Sequence, residues 1–404
     1  ALLNIYVQFA RSGGTIESYF MAYPPMYADE VYPTGTSLAD QEYYNNNVAP
    51  ANSTNAVTWR QLYFVVYSAN LLLDELGAAD GLSSTLRQQI EGEARFLRPF
   101  AYFLLTNQFG DVPLILKPDV APAAEAPRTA AAAVYSQVVE DLERAHSLLP
   151  TAYPVAERIR VNKWAAKALL ARVYLYQGAW AAARNEAVAV VQSGMYSLPA
   201  PDGTFKKGSP EAILQFWARD GYTWAGGFVP SGTVPTYALT PGLLQAFEAG
   251  DLRRQHWIRS VGSGSNVYHH PYKFKNRVTT AGAAAEYTIP LRLAEQYLIL
   301  AEAYVQLDDP ARAGEYLNPV RVRAGLLPVE MPVEKEAGLR LIEEERRREL
   351  FAEWGHRFFD LKRTGRIDAV LGAVKPAWKP AARLLPIPEI ELLNNPSLTQ
   401  NEGY

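Results

Sequence analysis

Two segments of this 404-residue chain repeat one another, and no other feature constrains the fold as tightly. Leu170, Ala171, Tyr174, Gly178, Trp180, Ala183, Ala187 and Val190 stand opposite Leu300, Ala301, Tyr304, Asp308, Pro310, Ala313, Leu317 and Val320, and five of the eight pairs are identical. The spacing is that of a tetratricopeptide repeat: a small residue beside a leucine, a tyrosine three positions on, a turn, then small residues on a return helix. Ala171 and Ala183 let two antiparallel helices approach, while Tyr174 and Trp180 fill the space at the turn. An ordinary helical hairpin shares much of this pattern, but its recurrence favours a repeat.

Other helices flank these. Segments 57–76 and 86–109 form an earlier pair. Thr129 is placed as the N-cap of a helix with the face Val134, Val138, Leu142, Ala145 and Leu149, stopped by Pro150, and Asn162 caps the next. Pro99 lacks an amide donor and its ring opposes the Arg95 carbonyl, so a bend or break is expected there. Between residues 192 and 278 the helical period disappears in favour of Gly, Pro, Ser, Thr and aromatics, as it does across 19–55. The expected fold is mainly α, a single domain over residues 1–404. Tetratricopeptide-like helical repeats at about 57–110, 130–194 and 292–324 form an αα superhelical scaffold, with long irregular loop inserts at about 19–55 and 195–290. Loops of that length are functional or disordered, and their aromatic content argues against disorder.

Composition narrows the function. A net charge of −3 opposes a nucleic-acid partner, which wants a basic face. Zero cysteines removes thiol catalysis, disulfides and cysteine-ligated zinc together. No apolar run reaches the length of a membrane span. The start at Ala1-Leu2-Leu3 reads like the interior of a helix, so a further N-terminal piece is expected upstream.

A search for catalytic chemistry finds little. His269 and His270 are adjacent, would point to opposite faces of a strand, and read as part of a solvent-exposed loop. His356 reads as structural. Glu343, Glu344 and Glu345 fan around a helix and, with Arg346, Arg347 and Arg348, read as surface ion pairs; Arg357 and Asp360 read as a structural pair on one helical face. A glycosidase would need two carboxylates converging across a cleft, and no cofactor motif is present. Aromatics are the positive signal. Trp59, Trp164, Trp180 and Trp354 sit in helical patterns and belong to the core. Tyr222, Trp224 and Phe228 sit among glycines, and Tyr237 and Tyr268 among turn formers. A second group, Asp29, Tyr32, Tyr43, Tyr44, Asn45, Asn46 and Asn47, adds amides and a carboxylate. Loop packing is the plainer reading for any one of them. For the groups, a ring held on a loop can stack on a sugar face or receive a peptide side chain.

The last sixty residues carry Glu345-Arg346, Glu349-Leu350, Glu353, Gly355, Arg357 and Asp360-Leu361-Lys362-Arg363. They then close with Pro386-Ile387-Pro388, Asn395-Pro396-Ser397-Leu398-Thr399-Gln400-Asn401 and Gly403-Tyr404. This ordered set resembles the C-terminal signature of the SusD/RagB family of bacterial nutrient-binding outer-membrane lipoproteins. Upstream, Trp59-Arg60-Gln61-Leu62-Tyr63, Phe109-Gly110-Asp111-Val112-Pro113-Leu114, Tyr272-Lys273-Phe274 and Pro290-Leu291-Arg292-Leu293-Ala294-Glu295 resemble further family segments. Pro99 and Trp354 depart from the pattern without disturbing the rest. The resemblance implies a non-catalytic, outward-facing receptor with no cofactor. It would be held at the outer membrane by a lipid on an upstream cysteine, and would deliver an oligosaccharide or a peptide to a SusC-like TonB-dependent transporter. It also implies that ligand residues come from the loops. An α-helical glycoside hydrolase, or a repeat scaffold that binds only protein, would be the alternative.

Overall fold

The chain opens with α1 (Leu2–Ala10), α2 (Ile16–Tyr27), strand β1 (Val31–Pro33) and α3 (Leu38–Tyr44) in the computed structural model, which describes residues 1–10, 16–217, 227–264, 266–276 and 285–404. Side-chain caps then set where the long helices begin. Asn52 accepts from the Asn55 amide at 3.0 Å to open α4 (Ser53–Ala78), and Ser83 does the same for Leu86 at α5 (Ser84–Phe109). After α6 (Val120–Ala124) and α7 (Ala131–Leu148), Asn162 caps α8 (Lys163–Tyr176), as its sequence position predicts, and α9 (Trp180–Gln192) returns beside it.

Three sequence expectations need correction. Residues 16–27 are helical, although Pro24 and Pro25 lie in the last turns, and every one of them but Tyr23 is buried, so the helix is held by packing on all sides. The cap of α7 is Ala130; Thr129 instead exchanges backbone hydrogen bonds with Val112. Helix α5 runs unbroken through Pro99, where Phe96, Leu97, Phe100 and Phe103 are all buried. Burial of four such side chains at roughly 1.5–3 kcal/mol each outweighs the ~3 kcal/mol cost of an internal proline.

Among the described residues the strands form three two-stranded antiparallel sheets. β1 pairs with β3 (Tyr237–Leu239) and β2 (Ala212–Phe216) with β6 (Thr288–Arg292), while β4 (Ile258–Ser263) and β5 (Asn266–Pro271) form a hairpin. Between β3 and β4 lie α10 (Pro241–Ala246) and α11 (Leu252–Trp257). The second copy of the repeat follows as α12 (Leu293–Gln306) and α13 (Pro310–Arg323), and α12 packs on α9 of the first copy. The two turns are built alike even where their residues differ. Gly178 and Asp308 both adopt positive φ, at 70° and 60°. The Ala179 and Asp309 amides donate to the Tyr174 and Tyr304 carbonyls, each at 2.9 Å, closing the same helix-ending motif. The scaffold is therefore a tetratricopeptide-like array.

The C-terminal signature forms α14 (Lys335–Leu350), α15 (His356–Arg363), α16 (Ile367–Val374) and α17 (Glu389–Asn394). Its charges are not a solvated face: Glu343, Glu345, Arg346 and Arg348 are buried, correcting the surface reading. Arg292 bonds Glu211 at 2.7 Å, Glu349 at 2.6 Å and Glu353 at 2.8 Å, and Arg253 bonds Glu345 at 2.6 Å and Glu349 at 2.9 Å. Guanidinium forks can satisfy several carboxylates at once, which is what such a desolvated cluster requires. Arg357 and Asp360 are also buried and paired, but not with each other. Arg357 holds Asp29 and Glu343, while Asp360 holds Arg346 and Arg363. Gly355 opens α15 at φ 77°, with its α-carbon so close to Pro24 and Phe359 that a side chain there would stand 3.0–3.1 Å from them. The tail is clamped by amides: the Asn401 side chain donates to the Phe109 and Leu385 carbonyls, and Gln400 exchanges hydrogen bonds with Ile387. Among the described residues no helix is long and apolar enough to cross a membrane.

Candidate functional site

Strand alternation decides which aromatic side chains reach the surface. In β1, Val31 and Pro33 are buried and Tyr32 between them is only half-buried; its Cα partner in β3 is Ala238. The small Ala238 leaves room above the strand for the ring. The β4–β5 hairpin lies against β3 and supplies Tyr268, also half-buried. Tyr44, at the end of α3, completes the group. α3 and β3 pack on β1, and β5 packs on β3, which brings the three phenols into one region; burial, then the Tyr268 and Tyr44 phenols, raise the Tyr32 hydroxyl above its ordinary pKa. Asn45 and Asn47 are exposed beside Tyr44. Rings with hydroxyls and amides at their edge suit a ligand with an apolar face and polar rim.

A second layer supports these rings. Lys375, absent from the sequence reading, donates to the Tyr44 carbonyl at 2.8 Å and the Met26 carbonyl at 2.9 Å, and its Nζ lies 3.9 Å from the Tyr44 ring centroid. Burial pushes its amine down to about 7. Tyr23, Asp40 and Tyr237 hydrogen-bond one another; burial raises the Asp40 carboxyl, and the two phenol donors oppose that rise. Nothing local in Ala373-Val374-Lys375-Pro376 or Tyr23-Pro24 marks either residue, since their partners lie far along the chain.

Several candidates are placed differently from expectation. Tyr43 is buried one residue before Tyr44, its hydroxyl 3.1 Å from that of Tyr19 and its ring edge-on to Tyr19 and Tyr27. Asn46 is fully buried at φ 54° and donates to the Tyr27 carbonyl at 2.7 Å, so it shapes the end of α3. Asp29 is a buried anchor: it binds Arg347 at 2.7 Å and Arg357 at 2.8 Å, and these cations hold its carboxyl low against the opposing effect of burial. Phe228 and Tyr237 are buried against each other, with ring centroids 5.6 Å apart. Tyr222 and Trp224 lie outside the described residues. His269 and His270 lie on strand β5, not in a loop; His269 bonds Ser260 at 2.8 Å and His270 is buried. Two carboxylates on α3, the helix that carries Tyr44, are engaged, Glu42 by the Ala49 amide and the Asn52 side chain, Asp40 by its tyrosines.

Comparison with known proteins identifies the family of this fold. A family model described as "Starch-binding associating with outer membrane" matches residues 9–175, and the SusD family model matches residues 215–404. The chain belongs to the SusD/RagB family. SusD-like protein P25 of Formosa agariphila is 28% identical, an alignment covering 86% of this chain and 79% of that protein. SusD-like protein P38 of the same organism is 26% identical over 90% of this chain and 83% of its own. A laminarin binding SusD-like protein of known structure is 26% identical, with a TM-score of 0.83 over 100% of this chain and 98% of that one. A SusD superfamily protein from Bacteroides vulgatus superposes at TM-score 0.88 over 100% of this chain and 97% of its own; at 22% identity it speaks for the fold alone. SusD-like proteins are a carbohydrate-binding family associated with the outer membrane.

Proposed function

We propose that this protein captures an oligosaccharide on the Tyr32, Tyr44 and Tyr268 platform and hands it to a SusC-like TonB-dependent transporter, without catalysis. Its place would be the outward face of the bacterial outer membrane, held there by an N-terminal lipid. What supports the reading is that β1, α3 and β5, which pack together through β1 and β3, each bring a half-buried phenol to this region, with Lys375 beneath Tyr44. Tyrosine side chains have few rotatable bonds, so little side-chain entropy is lost when they stack on a ligand. Neighbouring carboxylates already engaged by amides and phenols favour binding over acid–base hydrolysis. From the sequence, Tyr222 and Trp224 are the expected platform, with Tyr43, Tyr44 and Asn45-Asn46-Asn47 as possible partners; the first two lie outside the described residues.

Laminarin is the first probe, chosen from the laminarin-binding relative, followed by a panel of soluble polysaccharides and peptides in affinity electrophoresis and calorimetry. Tyr32→Ala and Tyr268→Ala should each weaken the binding of the captured glycan by about 1–3 kcal/mol, by analogy with other ring-stacking sites, and leave thermal stability nearly unchanged. Wild-type affinity in both variants would refute the platform. Capture of peptides alone would replace the glycan reading, and release of reducing sugar would replace the receptor reading.

A further inference from the structure

A second cleft, of about 540 Å³, opens between the end of α5, the start of α7, α15 and the C-terminal tail, built from elements other than those of the tyrosine platform. Two hydroxyls on its wall are unpartnered among the described residues, and one ammonium is only partly satisfied. Thr106, only 4% exposed, has a hydroxyl with no hydrogen-bond partner among the described residues, whereas a helical threonine ordinarily bonds the carbonyl a turn back. The Tyr176 hydroxyl is likewise buried and unpartnered among them. Lys362 donates to the Asn107 carbonyl, and among the described residues no carboxylate pairs with it. Lys362 is half-buried, and an ammonium partly withdrawn from water still has three donors and a charge to satisfy.

The other charges of the cleft do not satisfy it. Arg363 is saturated by Glu302 and Asp360, and Arg383 is paired with Asp368. Glu402 is exposed at the rim. Leu384 and Pro380 supply apolar wall, and the Asn107 side chain bonds Tyr135 at 2.9 Å. An ammonium beside hydroxyls, amides and an apolar wall is complementary to a hydroxylated ring that bears one negative charge.

We infer that this cleft is a second binding site, for an anionic sugar residue whose carboxylate or sulfate group meets Lys362. Burial alone pushes the Lys362 amine down to about 7, with the Arg363 and Arg383 charges and the Tyr135 and Tyr176 hydroxyls beside it, and an anion would raise it again. The site is independent of the platform, so its test uses monosaccharides and stands whether or not the platform binds glycan.

The test is calorimetric titration of the full chain with glucuronate, glucose 6-sulfate and glucose. Glucuronate or the sulfate should bind and glucose should not. Lys362→Met should weaken the anion by about tenfold or more, the worth of one charge-assisted hydrogen bond, without a lowered Tm. Wild-type glucuronate affinity should also fall about tenfold from pH 6 to pH 8 as Lys362 loses its proton, a readout that needs no variant. No binding of either anion by the wild type up to about 20 mM, a range that holds even weak fragments, would overturn the inference. So would equal binding of glucose, unchanged affinity in Lys362→Met, or affinity constant across that pH range.

Discussion

Arg357→Ala separates a structural from a ligand-binding role for the C-terminal signature. Arg357 is 5% exposed, with Nε 2.8 Å from Asp29 Oδ1, Nη2 3.2 Å from Asp29 Oδ2 and Nη1 3.0 Å from Glu343 Oε1. Removing one partner of a buried pair costs about 3–5 kcal/mol because the other charge is stranded. Here Asp29 keeps Arg347 and Glu343 keeps Arg366, which places the loss near ~3 kcal/mol, the lower end of that range. Unfolding entropy of about 2.1 cal/mol/K per residue gives roughly 0.85 kcal/mol/K for a 404-residue chain. The Tm should therefore drop by about 3–4 °C at neutral pH.

The acid limb gives an independent check. Arg357 and Arg347 hold the Asp29 carboxyl below its ordinary 3.8, so its contribution is present above that value and lost as pH falls through the lower folded value. The variant lacks the larger of these two cations, and the gap in Tm between variant and wild type should narrow as pH drops below about 4. Scanning calorimetry at pH 7 and at acid pH measures both effects, with glycan affinity followed in parallel. Because Asp29 anchors the chain just before β1, three residues from Tyr32, a modest loss of affinity is compatible with the argument. An unchanged Tm alongside abolished binding would refute it and move Arg357 into the ligand site.

Two further changes probe the core. Burial and the Asp29 charge push the Glu30 carboxyl up to about 8, so the native state holds a proton that the unfolded chain has released above pH 4.5. Stability from this group is lost as pH rises from 4.5 to 8, and Glu30→Gln should gain a few kcal/mol on the wild type between those limits, read as a pH-dependent difference in Tm; a constant difference would count against a protonated Glu30. Gly178→Ala forces a side chain into the left-handed turn that closes α8, at a cost of about 1–2 kcal/mol, and melting equal to wild type would mean that the turn relaxes.

The sequence displayed what local chemistry determines. Asn162 caps α8 because a short amide before an apolar run can do little else, and Leu170-Ala171 with Leu300-Ala301 mark helices that must pack closely. It concealed what distant partners determine. Glu345 looks solvated among five neighbouring charges, yet its partner Arg253 arrives from 92 residues away, and no periodicity records that meeting. Tyr43 and Tyr44 are identical and adjacent, but α3 turns one toward Tyr19 and Tyr27 and the other toward Lys375 and the surface. Likewise Gly178 and Asp308 differ in type while sharing one left-handed turn.

The buried ion network shows what this division means for function. Its carboxylates and guanidiniums come from β6, α11, α13 and α14, and from the segments that join the helices to the small sheets. Asp29, just before β1, is tied to α14 and α15 through Arg347 and Arg357, and Lys375, just past α16, holds the carbonyl of Tyr44. The repeat helices provide a rigid body, and the signature charges fasten the ring-bearing segments to it. Loops fixed at their bases can vary their exposed side chains without unfolding the scaffold, because the anchoring charges lie beneath the surface. On the proposed platform, ligand choice and fold stability would reside in different residues: the half-buried Tyr32, Tyr44 and Tyr268 for the first, and the buried Asp29, Arg357 and Lys375 for the second.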